Sequence, residues 1–104
     1  MDKDLQSIQQ VNDLVAKAKQ AQQILAAYSQ QEIDRLTALM AEYGYRASRE
    51  LAELACRETG FGRIGSKTEK NIFATRDVFR HLAGLKTCGV IAVDQTRQIY
   101  EVAT

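Results

Sequence analysis

One glycine-rich stretch and a few isolated side chains carry whatever chemistry this sequence offers. Gly60-Phe61-Gly62-Arg63-Ile64-Gly65-Ser66-Lys67-Thr68 matches G-x-G-x-x-G letter for letter and comes within one residue of G-x-x-x-x-G-K-[ST]. Both patterns hold phosphate on backbone amides. Cys56 and Cys88 are thiols that a nucleophilic mechanism or a metal site would use, and His81 stands four residues after Asp77, a spacing that suits a carboxylate-supported imidazole.

Each of these depends on the element that presents it. A dinucleotide fingerprint works when its glycines join a buried strand to a helix, so that the backbone approaches the pyrophosphate at the helix N-terminus. The apolar residues before Gly60 recur at helical, not strand, spacing, and Ser66 separates Gly65 from Lys67 where the phosphate loop allows no insertion. The loop is expected to connect two helices, with Gly60 as a helix stop and Gly62 and Gly65 as turn residues.

Proline is absent, and the first three-quarters of the chain reads as helix. Leu5, Ile8, Val11, Leu14, Val15, Ala18, Ala21, Leu25 and Tyr28 form a stripe at steps of three and four opposite Gln, Lys and Asn. Ser29-Gln30-Gln31-Glu32 has the form of a capping box and opens a second helix, carrying Ile33, Leu36, Met40 and Tyr43 to a stop at Gly44. A third helix from about Ala47 turns Leu51, Leu54 and Ala55 inward and ends at Gly60. Ser66-Lys67-Thr68-Glu69 is a second capping-box pattern, opening a fourth helix with Ile72, Phe73, Phe79 and Leu82 and ending at Gly84.

Beyond Gly84 the pattern changes. Cys88-Gly89-Val90-Ile91-Ala92-Val93 is apolar and β-branched, Asp94-Gln95-Thr96-Arg97 is a polar break, and Gln98-Ile99-Tyr100-Glu101-Val102 alternates. The expected fold is mainly α, about four helices, with a C-terminal β-hairpin. A lone hairpin is marginal in water, so another surface must cover it.

The function classes narrow accordingly. With 14 basic against 13 acidic residues no global field attracts nucleic acid or anionic lipid. Arg57, Arg63, Lys67, Lys70, Arg76 and Arg80 cluster in the second half, but Glu58, Glu69 and Asp77 are interspersed and no aromatic platform accompanies them, which favours a solvated surface. The N-terminus lacks the apolar core of a secretion signal and no later run is long enough to span a bilayer, so a cytoplasmic protein with no membrane partner is expected. Two cysteines at this separation fit no metal spacing and are expected reduced. Cys56 reads as a small apolar packing residue and Cys88 as a scaffold position at the mouth of a strand, while His81 lacks further ligands. No catalytic, cofactor-binding or metal-binding residue is assigned in this chain.

Glu58-Thr59-Gly60-Phe61-Gly62, Lys70-Asn71-Ile72-Phe73-Ala74-Thr75, Lys86-Thr87-Cys88-Gly89-Val90 and Tyr100-Glu101-Val102-Ala103 resemble, in order and spacing, the N-terminal quarter of CoA-acylating aldehyde dehydrogenases. These include acetaldehyde dehydrogenases and the aldehyde half of bifunctional aldehyde-alcohol dehydrogenases. The resemblance extends to the opening helix and Ser29-Gln30-Gln31-Glu32, whereas Arg63-Ile64-Gly65-Ser66-Lys67-Thr68 departs from the family's more acidic pattern. It implies an N-terminal fragment of the α/β aldehyde dehydrogenase fold, with residues 1–85 as helices of the cofactor-binding domain and 86–104 as a hairpin of the oligomerisation region.

The same resemblance implies an oxidoreductase that uses NAD and coenzyme A to turn aldehyde into acyl-CoA, with its nucleophilic cysteine and cofactor sites downstream of the part matched here. A proline-containing strand is expected past the position of Thr104, so the chain is expected to stop at a join. The implied partners are the remainder of the enzyme and further copies in a homo-oligomer, with Val90, Ile91, Val93, Ile99, Tyr100 and Val102 as the interface. A stand-alone helical interaction or scaffold module and a small nucleic-acid-binding helical domain are the alternative classes.

Overall fold

In the computed structural model, which describes residues 2–103, Asp2 starts the first helix by accepting the Asp4 N–H on its side chain at 3.1 Å. That helix, α1, runs Lys3–Leu25. Its apolar stripe does not enter a core of this chain: Leu5, Ile8, Val11 and Leu14 are each more than half exposed. Near its C-terminal end Ala18, Ala21 and Leu25, with Tyr28 just beyond the helix, line an open pocket together with Leu36 of the next helix.

α2 spans Gln30–Arg46 and begins at the capping box read from the sequence. Glu32 N–H donates to Ser29 Oγ at 3.2 Å and Ser29 N–H donates to Glu32 Oε1 at 3.3 Å, so two otherwise orphaned amides are satisfied reciprocally. The expected stop at Gly44 is not there. The helix continues two residues further, and Gly44 serves a close approach instead, because a Cβ at that position would lie 3.0 Å from Thr75 Cγ2. The break comes at Ala47, which ends α2 and begins α3, Ser48–Thr59. Ser48 Oγ ties the joint by donating to the carbonyl of Tyr45 at 2.7 Å.

α3 packs on α4 through small residues rather than through Leu51 and Leu54, which remain exposed. Ala52 is fully buried and Ser48 nearly so, while Ala55 is half-buried. Asn71 of α4 reaches across, its Nδ2 donating to the Ser48 carbonyl at 2.9 Å. Backbones this close leave room for Ala and Ser, not Leu, on the facing turns. As expected, α3 ends on Gly60 in the left-handed conformation (φ 70°), its N–H donating to the Cys56 carbonyl at 2.9 Å.

α4, Ile64–Ile72, starts earlier than the Ser66 pattern implies. The first turn closes from Arg63, whose carbonyl accepts the Lys67 N–H at 2.9 Å, so Ser66 lies inside the helix and caps nothing, and Gly65 is helical rather than a turn residue. The helix then widens into a π-helical segment, Phe73–Val78, and returns to α geometry as α5, Phe79–Leu82. Gly84 follows two residues after Leu82, at φ 92°.

The hairpin is formed by β1, Gly89–Asp94, and β2, Ile99–Ala103, paired antiparallel. The stretch 86–104 assigned to it from the sequence includes Thr104, which lies outside the described residues. Among the described residues the buried apolar core consists of Ala52 alone, and no large side chain is fully buried. The Cα radius of gyration is 18.9 Å, against about 13 Å for a compact domain of this length. The helices and hairpin form an open assembly with wide apolar faces uncovered.

Candidate functional site

A bulge decides what the hairpin presents. Val90 pairs with Val102 and Ala92 with Glu101, so Ile91 is an extra residue with no partner of its own. In a regular, unbulged strand, residues three apart such as Val90 and Val93 point to opposite faces. With it, Val90, Val93, Tyr100 and Val102 share one face through the cross-strand pairs Val90–Val102 and Val93–Tyr100. All four are about half exposed or more, and no described helix packs extensively on them.

The six residues read from the sequence as an interface therefore divide. Four form the apolar face, Ile99 stands opposite Asp94 on the other face with Glu101, and Ile91 occupies the half-buried bulge. Alternation alone does not reveal this division, because the bulge resets the period between Val90 and Ala92.

A second apolar surface lies between α2 and the helix formed by the π-helical segment and α5. It is a groove of about 730 Å³, with Met40, Ala41, Val78, Phe79 and Leu82 among its walls and Asp34 at its rim.

The glycine-rich loop joins α3 to α4, with no strand before it among the described residues. The Lys67 side chain lies across Gly62, so that a Cβ there would collide with it. Such a loop cannot bring a buried strand and a helix N-terminus together around a pyrophosphate.

The remaining candidates are dispersed. Both cysteines are free and half-buried. Asp77 does not support His81: its carboxylate accepts from Arg76 Nε at 2.9 Å. That hydrogen bond, with the charges of Arg76 and Arg80 adding to it and partial burial opposing, holds the Asp77 carboxyl below the usual aspartate value. The Asp77 partner in turn raises Arg76. No group of three or more His, Cys, Asp or Glu is gathered as a metal site among the described residues, and no helix is long and apolar enough to cross a membrane.

One residue escapes the sequence reading altogether. The Gln30 carboxamide bonds to Thr87 and Cys88, 57 and 58 positions away, at the entrance to β1. In sequence it is one more glutamine in a helix's first turn, and nothing local marks its partner.

No family model matches the chain. Among curated proteins, the bifunctional aldehyde-alcohol dehydrogenase AdhE of Escherichia coli (strain K12) is 32% identical over 90 residues, 86% of this chain and 10% of the relative. The sulfoacetaldehyde dehydrogenase (acylating) of Cupriavidus necator is 38% identical over 92 residues, 86% of this chain and 19% of the relative. Among solved structures, a probable aldehyde dehydrogenase from Listeria monocytogenes EGD-e superposes with a TM-score of 0.88 at 43% identity, covering 98% of this chain and 22% of that one. An acetylating aldehyde dehydrogenase from Geobacillus thermoglucosidasius gives 0.87 at 42% identity. The chain thus spans a tenth to a fifth of the length of the curated relatives it matches. By sequence and by fold together, it belongs to the acylating aldehyde dehydrogenase family, as the counterpart of one segment of those enzymes.

Proposed function

We propose that this chain serves as the N-terminal segment of an NAD-dependent, CoA-acylating aldehyde dehydrogenase that converts aldehyde, coenzyme A and NAD to acyl-CoA and NADH in the cytoplasm. On this reading residues 1–85 supply helices to the outer layer of the cofactor-binding domain and residues 86–104 supply a subunit contact. Its role is structural, and the nucleophile and both cofactor sites belong to the remainder of the enzyme. Homo-oligomers form through the hairpin.

The observation that carries the reading is the uncovered apolar face of Val90, Val93, Tyr100 and Val102. A two-stranded ribbon with such a face is not stable by itself in water. The exposed stripe of α1 and the groove beside α2 support the same conclusion, since both are apolar surfaces without a partner inside this chain.

The test is reconstitution. A relative's acylating aldehyde dehydrogenase lacking the matched segment is expressed with and without this chain. NADH formation from acetaldehyde, coenzyme A and NAD is expected only when both parts are present, with the two co-purifying. If the chain alone bound NAD with a Kd tighter than about 100 μM, near 5.5 kcal/mol of binding, or if it never associated with the remainder, the reading would fail.

A further inference from the structure

We propose that Gln30 is a positioning residue whose carboxamide fixes the direction in which the hairpin leaves the helices. The Gln30 Nε2 group donates to Thr87 Oγ1 at 2.9 Å and to Asp34 Oδ1 at 2.8 Å. Its Oε1 accepts the Thr87 N–H at 2.8 Å, the Cys88 N–H at 3.2 Å and the Cys88 thiol at 3.4 Å. One side chain thus satisfies two consecutive backbone amides just before β1 and is itself oriented by Asp34.

The linker needs such a tie. It runs between Gly84 and Gly89, both at positive φ (92° and 76°), backbone conformations in which glycine turns freely and other residues rarely settle. The strands contact chiefly each other. The root of the latch is fixed, because Gln30 is the first residue of α2, directly after the Ser29 cap. Gln30 also joins two of the stretches that carry the family resemblance, Ser29-Gln30-Gln31-Glu32 and Lys86-Thr87-Cys88-Gly89-Val90, which lie far apart in sequence. With the carboxamide in place, the apolar face of the hairpin is held at one angle to α2. Without it, two glycine swivels leave that face free to turn.

The consequence for assembly rests on the hairpin role proposed above, but the latch itself does not. Gln30→Leu keeps the bulk and removes every polar atom, whereas Gln30→Glu keeps acceptor oxygens for the two amides. Hydrogen exchange resolved to single amides is expected to speed up at Thr87 and Cys88 by about tenfold in Gln30→Leu, as for the loss of one net hydrogen bond. The β1–β2 ladder should stay protected, and Gln30→Glu should keep most of the protection at the two amides. Unchanged exchange at Thr87 and Cys88 in Gln30→Leu overturns the latch. So does loss of protection throughout the helices and hairpin, which would make Gln30 a general support of the fold. A hairpin face that proves irrelevant to assembly when charged leaves this exchange result intact, so the two ideas fail separately.

Discussion

Gly44 and Thr75 meet where α2 packs on the π-helical segment, so closely that a Cβ on Gly44 would stand 3.0 Å from Thr75 Cγ2. Thr75 has little freedom to retreat, because its Oγ1 donates to the Asn71 carbonyl at 2.6 Å and a β-branched side chain is stiff at χ1. Alanine at position 44 gains about 1 kcal/mol of helix propensity, against about 1–3 kcal/mol for overpacking. Gly44→Ala is expected to be destabilising by up to about 2 kcal/mol in urea denaturation, the difference of those two terms. Adding Thr75→Ser, which deletes the opposing methyl, should recover much of the loss, and a double-mutant cycle measures the coupling.

The two serine patterns separate in the same assay. Ser29 caps α2 through its reciprocal bonds with Glu32, so Ser29→Ala should cost about 1 kcal/mol. Ser66 lies within α4 without a capping bond, and Ser66→Ala should change stability by less than about 0.5 kcal/mol.

Ala52 is the one fully buried apolar residue among those described, and it lies where α3 meets α4. Ala52→Leu is expected to cost about 1–3 kcal/mol by overpacking. Leu51→Glu, on the exposed side of the same helix, should leave the stability of the chain alone nearly unchanged. Equal losses from the two would mean that α3 is rotated from its described position.

Asp77 gives a pH prediction with a definite sign. Its folded-state pKa lies below the unfolded value because Arg76 hydrogen-bonds to the carboxylate. The resulting stabilisation is fully present above the unfolded aspartate value and disappears as pH falls through the lower folded value. Both side chains are substantially exposed, so the contribution is small. Carbon-detected NMR titration should place the Asp77 midpoint below that of ordinary aspartate, and Arg76→Ala should move it upward.

The hairpin face is tested by charge. Val93→Lys with Val102→Lys, on the shared apolar face, should shift sedimentation toward monomer, whereas Ile99→Lys on the opposite face should not. Helical circular dichroism should persist in both variants. If Ile99→Lys had the larger effect, the opposite face would be the contact.

What was legible in the sequence follows the range of the forces involved. Periodicity and local caps are short-range, so α1, the Ser29 box, the Gly60 stop and the hairpin could all be read directly. Gly44 misleads because one residue serves two purposes: it can end a helix or admit a neighbour, and only Thr75, far along the chain, decides between them. Ser66 misleads because a capping-box spacing also occurs inside a helix that has already begun at Arg63. Leu51 and Leu54 mislead by hydrophobicity, since nothing among the described residues covers them. Gln30 carries no local signal whatever.

The bulge at Ile91 makes β1 one residue longer than the ladder it serves. Removing Ile91 would restore plain alternation while leaving Val90 opposite Val102 and Val93 opposite Tyr100, so the apolar face survives the deletion. Deleting Ala92 instead would bring Ile91 opposite Glu101 and keep the same two apolar pairs, whereas a residue lost from β2 has no such spare to absorb it. Length variation among homologous hairpins should therefore collect in β1, as a gap at Ile91 or Ala92 that shifts twist but not pattern, and a gap in β2 would set the wet side of one strand against the dry side of the other.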